Sequence, residues 1–251
     1  MTLLSININK IALLRNSRGR NYPDVAAFAA RCLDLGVAGI TLHPRQDQRH
    51  ARYSDVASLG QLCVQRGAEL NVEGYPAREF MDVVAQYRPA QCTLVPDAPD
   101  QLTSDHGWDM QKDAELLRPV LAQLKSLNIR SSLFVDVGIS AADLALAKQL
   151  GADRVELYTE PYAETYGTAE NEAVLQAFAA TALRAQQAGL GVNAGHDLNL
   201  DNLGKFLQIQ DILEVSIGHA VIVESLEQGI DTVVTKYLDI IRTARAGSEK
   251  K

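Results

Sequence analysis

Eight short apolar runs, each followed by a stretch of helical periodicity, set the tightest limit on what this chain can fold into. The runs fall at 3–9, 39–42, 70–72, 91–95, 131–136, 154–159, 191–196 and 214–219, with helical patterns between them and after the last. Strands that alternate with helices in this way run parallel, and eight of them close into a (β/α)8 barrel. A doubly wound open sheet is the competitor. No Gly-x-Gly-x-x-Gly fingerprint follows the first run, and polar residues mark nearly every strand end, as expected where eight loops share one mouth. The reading is therefore a single TIM barrel over residues 1–245, with extra loop and helical elements at its C-terminal face and residues 246–251 as a flexible tail.

Composition narrows the function classes. The chain has 251 residues, 47% hydrophobic and 22% charged, enough for one domain with a large core. A net charge of -7 argues against a nucleic-acid surface, and no apolar run reaches the roughly 18 residues a membrane span requires. A cytoplasmic location is expected. Cys32, Cys63 and Cys92 are widely spaced within or beside apolar segments, which suits reduced core thiols.

Chemistry concentrates where the apolar runs stop. The first run places Ser5, Asn7 and Asn9 on one side, toward the barrel mouth, and residues 10–21 read as a loop whose Arg15, Arg18 and Arg20 could fold over an anion. The second run ends in His43-Pro44-Arg45, with Arg49 and His50 just beyond, a set able to clamp a phosphate and leave one imidazole for proton transfer. Glu73 stands one strand later where His43 stood, and an enclosed carboxylate there suits a general base or a salt bridge. Glu156 sits inside an apolar strand, so it either balances a cation or serves the chemistry. Gly195-His196 and Gly218-His219 end the last two runs, and the helix after Gly218 offers its amino terminus to a phosphate. A solvated turn accounts for any one of these features; four of the five histidines at strand ends make a shared active site the stronger reading.

Several ordered motifs carry a resemblance that spans the chain. Residues 7–16 with Arg18-Gly19, 39–45 with Arg49-His50, Leu94-Val95-Pro96, 192–196 and 217–220 resemble the pyridoxine 5'-phosphate synthase family. The resemblance implies a metal-free (β/α)8 barrel without a cofactor, assembled as a homo-octamer. It also implies condensation of 3-amino-2-oxopropyl phosphate with 1-deoxy-D-xylulose 5-phosphate. Carried over by motif, His43 and Glu73 are proton acceptors, His196 a proton donor, and Glu156 a polar group stabilising a transition state. Asn7, Arg18, Asp197, Gly218 and His219 hold the aminoketone phosphate, and Arg45, His50 and Thr103 the sugar phosphate. Two positions depart from the pattern: Asn9-Lys10 stands where many members have Asp-His, and Asp197 where glycine is usual.

Three rival readings remain at this level. Lys10 could form a Schiff base with a keto sugar phosphate. His43, Glu73 and His196 could bind zinc. A barrel could also bind a phosphorylated metabolite without transforming it, although several acids and bases at the mouth exceed what binding needs.

Overall fold

A computed structural model describes residues 2–97 and 104–248. Strands β1 (Leu3–Asn7), β2 (Gly39–Leu42), β3 (Glu69–Gly74), β4 (Gln91–Leu94), β5 (Arg130–Val135), β6 (Arg154–Tyr158), β7 (Gly191–Gly195) and β8 (Ile212–Ile217) pair in chain order, and β8 closes on β1. Every pairing is parallel. The expected (β/α)8 barrel is the architecture observed.

The helices are α1 (Asn9–Asn16), α2 (Val25–Asp34), α3 (Tyr53–Arg66), α4 (Arg78–Tyr87), α5 (Met110–Ser126), α6 (Ala141–Leu150), α7 (Glu160–Thr165), α8 (Asn171–Gln187), α9 (Leu203–Phe206), α10 (His219–Gln228) and α11 (Ile230–Ser248). Leu4, Ile6, Ile40, Leu42, Val155 and Val192 point outward from the strands and bury themselves beneath this helical ring. Cys32, Cys63 and Cys92 are free and buried, as their settings implied. No helix among the described residues is long and apolar enough to cross a membrane.

Two sequence expectations change. Residues 10–21 were expected to be loop, yet α1 occupies Asn9–Asn16, with the Asn9 N–H donating to Asn7 Oδ1 at 3.0 Å. Its inner face is Ile11, Ala12 and Arg15, so Arg15 faces the protein rather than an anion. The Arg15 guanidinium grips Asp55 through two hydrogen bonds of 2.6 and 3.0 Å. Asp55 Oδ2 also accepts the Arg52 N–H at 2.8 Å, which fixes the start of α3. The last helix runs to Ser248, into the stretch 246–251 that was expected to be tail.

Side chains pointing into the barrel are mostly polar, unlike the branched apolar layers usual for this fold. Ser5 and Thr41 share a hydrogen bond of 2.7 Å, Thr93 donates to Asn71 at 3.0 Å, and Asn193 donates to Gln91 at 3.3 Å. Arg154 lies 3.6 Å from Glu214 and donates to Asn193 at 3.0 Å. A polar axis therefore runs from the strand starts to the mouth.

Candidate active site

The strand ends assemble the mouth. His43 follows β2 immediately and is 5% exposed, its backbone N–H anchored on Asn9 Oδ1 at 3.0 Å. Burial holds its pKa well below the ordinary imidazole value, and the nearby Arg45, His196, His50 and Arg49 push in the same direction. His43 is thus neutral at physiological pH, with a lone pair available.

Glu73 lies near the end of β3 and accepts from the Asn7 side-chain amide at 3.4 Å. Burial raises its pKa to about 8, the carboxylates of Asp97 and Glu214 add to the shift, and Arg45 opposes it. Glu156, 1% exposed within β6, is pushed well above the carboxylate range by burial and then by Glu73 and Glu214, against a Thr93 hydrogen bond. The charged neighbours of Glu156 are carboxyl groups rather than a cation, and its Oε2 has no hydrogen-bond partner among the described residues.

His196 and Asp197 leave β7 with φ of +82° and +57°, both in the left-handed region. Non-glycine residues there cost about 1–3 kcal/mol each, a strain that concentrates at functional sites. Asp197 occupies a backbone geometry that glycine adopts at no steric cost. The imidazole of His196 is flanked by Phe134 and Tyr158, with ring centroids 5.0 and 5.4 Å away. Burial lowers its pKa, while Asp197 and Asp97 act against that shift.

Arg45 is buried and paired with Asp97 at 2.7 Å, and Ser104 donates to the same Asp97 oxygen at 2.8 Å. His50 is half-buried, its pKa lowered to about 4 by burial first and then by Arg49, Lys10 and Arg45. Asn7 and Gly218 pack closely: a Cβ on Gly218 would lie 3.0 Å from Asn7 Cβ, so a side chain there would force Asn7 to shift. His219 opens α10 and is exposed, and among the described residues no side-chain hydrogen bond caps that helix.

His43, Glu73, Glu156, His196, Arg45, His50, Asn7 and Gly218 therefore converge at one end of the barrel. Arg18 and Asp197 are exposed at the rim, and Thr103 lies outside the described residues. Lys10 sits on α1 rather than on a strand. Among the described residues no three His, Cys, Asp or Glu side chains are arranged to hold a metal ion, so the zinc reading gains no support.

Sequence reasoning did not single out Asp97, Glu214 or the aromatic walls Phe134 and Tyr158. Glu214 carried a usable signal, an acid inside an apolar strand, the same pattern that marked Glu156. Asp97 follows Pro96 directly at the end of the fourth apolar run, yet its pairing with Arg45 depends on the course of the loops.

A closed parallel barrel with neutral imidazoles, proton-bearing carboxyls and guanidinium groups at one mouth defines the class: a (β/α)8 enzyme acting on small anionic metabolites. Similarity in three dimensions supports the fold alone. A thiamine phosphate pyrophosphorylase from Pyrococcus furiosus superposes with a TM-score of 0.61 at 14% identity, covering 97% of this chain and 96% of that one. A Mycobacterium tuberculosis tryptophan synthase chain gives 0.64 at 16% identity, covering 96% and 92%.

Sequence comparison resolves the family. Residues 4–243 match the family described as "Pyridoxal phosphate biosynthesis protein PdxJ", and this chain belongs to it. A pyridoxine 5'-phosphate synthase of Xylella fastidiosa strain M12 is 50% identical over 248 residues, 96% of this chain and 95% of the relative. Its counterpart in Xanthomonas oryzae pv. oryzae strain PXO99A is 48% identical over 255 residues, 98% and 99% of the two chains.

Proposed function

We infer that this chain catalyses the pyridoxine 5'-phosphate synthase reaction, condensing 3-amino-2-oxopropyl phosphate with 1-deoxy-D-xylulose 5-phosphate to give pyridoxine 5'-phosphate, phosphate and water. Family membership at this identity supports the activity. One structural observation supports the mechanism: His43 and Glu73, both buried, are brought together at one mouth with Arg45, where burial lowers the His43 pKa and raises that of Glu73.

Imine formation, loss of water and phosphate, and ring closure each require a proton to leave one atom and arrive at another. A neutral imidazole and a carboxyl poised near the working pH are efficient carriers. By family resemblance His43 and Glu73 accept protons, Glu73 once it has ionised, and His196, held between two aromatic rings, delivers to a leaving oxygen a proton it has first taken up. Glu156, kept protonated by its surroundings, donates a hydrogen bond to charge that develops beside it.

The two phosphates take separate seats. Asn7, Arg18, the backbone at Asp197, Gly218 and His219 receive the aminoketone phosphate, with the α10 amino terminus contributing its amides. Arg45, His50 and Thr103 receive the sugar phosphate, and Asp97 yields its place on Arg45. By family resemblance the protein works in the cytoplasm as a homo-octamer of one-barrel subunits (residues 1–245), without metal or cofactor.

Incubating purified protein with both substrates, while following the pyridine chromophore and released phosphate, tests the reading. Equal amounts of the two products are expected. Tight binding of both substrates without a chromophore would replace the enzyme with a binding barrel.

A further inference from the structure

The turn after β7 is held in a strained shape by groups from two other elements. His196 and Asp197 have φ of +82° and +57°, a region that His and Asp enter more readily than most non-glycine residues but still at a cost. Three successive carbonyls of this turn are nevertheless gripped. The Thr159 hydroxyl, at the end of β6, donates to the Gly195 carbonyl at 2.6 Å and also reaches the His196 carbonyl. The Thr159 backbone N–H adds a bond to the Gly195 carbonyl at 2.9 Å. From the far side, the Asn202 amide donates to the Asp197 carbonyl at 3.1 Å.

Both holders are themselves fixed. Thr159 and Asn202 are fully buried. Asn202 Oδ1 accepts the Asn199 N–H at 2.9 Å, its own N–H donates to Asn199 Oδ1 at 3.0 Å, and its carbonyl receives the Tyr162 hydroxyl at 2.8 Å. Neither side chain reaches the imidazole. Each acts on the main chain that carries it, and that main chain sets the ring between Phe134 and Tyr158.

We propose that Thr159 and Asn202 are positioning residues for the reaction: their buried grip on the Gly195, His196 and Asp197 carbonyls enforces the left-handed turn that aims the His196 imidazole at the substrates. The proposal rests on the reading of His196 as proton donor. It separates placement from binding, because the phosphate seats named above lie mostly on other elements.

The test compares Thr159→Val, which keeps shape and removes the hydroxyl, with Thr159→Ser, which keeps the hydroxyl. Steady-state kinetics with both substrates, thermal melts and the imidazole NMR signals of His196 are recorded for each. Thr159→Val is expected to lower kcat about tenfold or more, with each KM within about twofold, since small displacements of a reacting group are costly. The His196 signals should shift, and Thr159→Ser should restore kcat to within about threefold of wild type. If Thr159→Val does not fold, Thr159→Ala leaves room for a water on the freed carbonyls and is judged by the same readings.

Wild-type kcat in Thr159→Val while His196→Gln is inactive overturns the grip itself. So does a Thr159→Ser enzyme as slow as Thr159→Val, or a KM that rises in step with the fall in kcat. Wild-type turnover in His196→Gln overturns the proposal through the reading beneath it.

Discussion

Gly195 shows how a missing side chain makes room for a reacting group. A Cβ at this position would lie 2.5 Å from Glu156 Oε1 and 3.4 Å from the Ser216 carbonyl, so Gly195→Ala must displace the carboxyl. The expected outcome is a kcat lowered by about tenfold or more with about 1–3 kcal/mol of lost stability, read by steady-state kinetics and urea titration. Glu73 yields a pH prediction whose sign is fixed by its raised pKa. The folded protein keeps this proton after the unfolded chain has released it, so stability falls as pH climbs from the ordinary carboxylate value of 4.5 to about 8. Glu73→Gln removes that contribution, and its urea midpoint relative to wild type should rise between about pH 5 and about pH 8. A constant difference across that range would contradict the buried neutral carboxyl. Glu156 was legible in the sequence because a charge within an apolar strand demands an explanation. Its answer, a carboxyl held neutral beside other carboxylates, was not, since those neighbours come from different strands.

At the scale of elements, α1 carries more weight than its eight residues imply. Its Arg15 grips Asp55 and donates to the His50 carbonyl at 3.3 Å, while Asn16 donates to the Arg49 and His50 carbonyls at 2.9 and 2.7 Å. One short helix thus ties down the segment between β2 and α3 that bears His50. Removing one partner of a buried pair leaves the other charge uncompensated, so Arg15→Met should cost about 3–5 kcal/mol, and Arg15→Met with Asp55→Leu should recover much of that loss. Chemical denaturation of the two single variants and the double variant checks both statements. The helix escaped sequence reading because three arginines, a glycine and two asparagines gave residues 10–21 the composition of a loop. Its apolar contacts, Ile11 and Ala12, are too few to set a period. The eight strands were legible for the opposite reason, since each is a compact apolar run set apart by helix-length spacing.

For the molecule as a whole, closure of the barrel turns distance along the chain into proximity. His43, Glu73, Glu156 and His196 lie on or just after β2, β3, β6 and β7, and the closed order of strands brings all four toward one mouth. That convergence could be read from the sequence once eight parallel strands were recognised, because parallel strands all end on the same face. The pairing of Arg45 with Asp97 and the grip of Thr159 on the β7 turn could not, because they depend on loop paths and on backbone angles that no residue pattern announces. The central claim is that His43 serves proton transfer rather than phosphate capture. Single-turnover kinetics of His43→Ala, with the affinity for each substrate measured on the same preparation, tests it most directly. Turnover should fall by about a hundredfold or more while both affinities stay within about threefold of wild type. Equal losses of turnover and affinity, or turnover left intact, would contradict it.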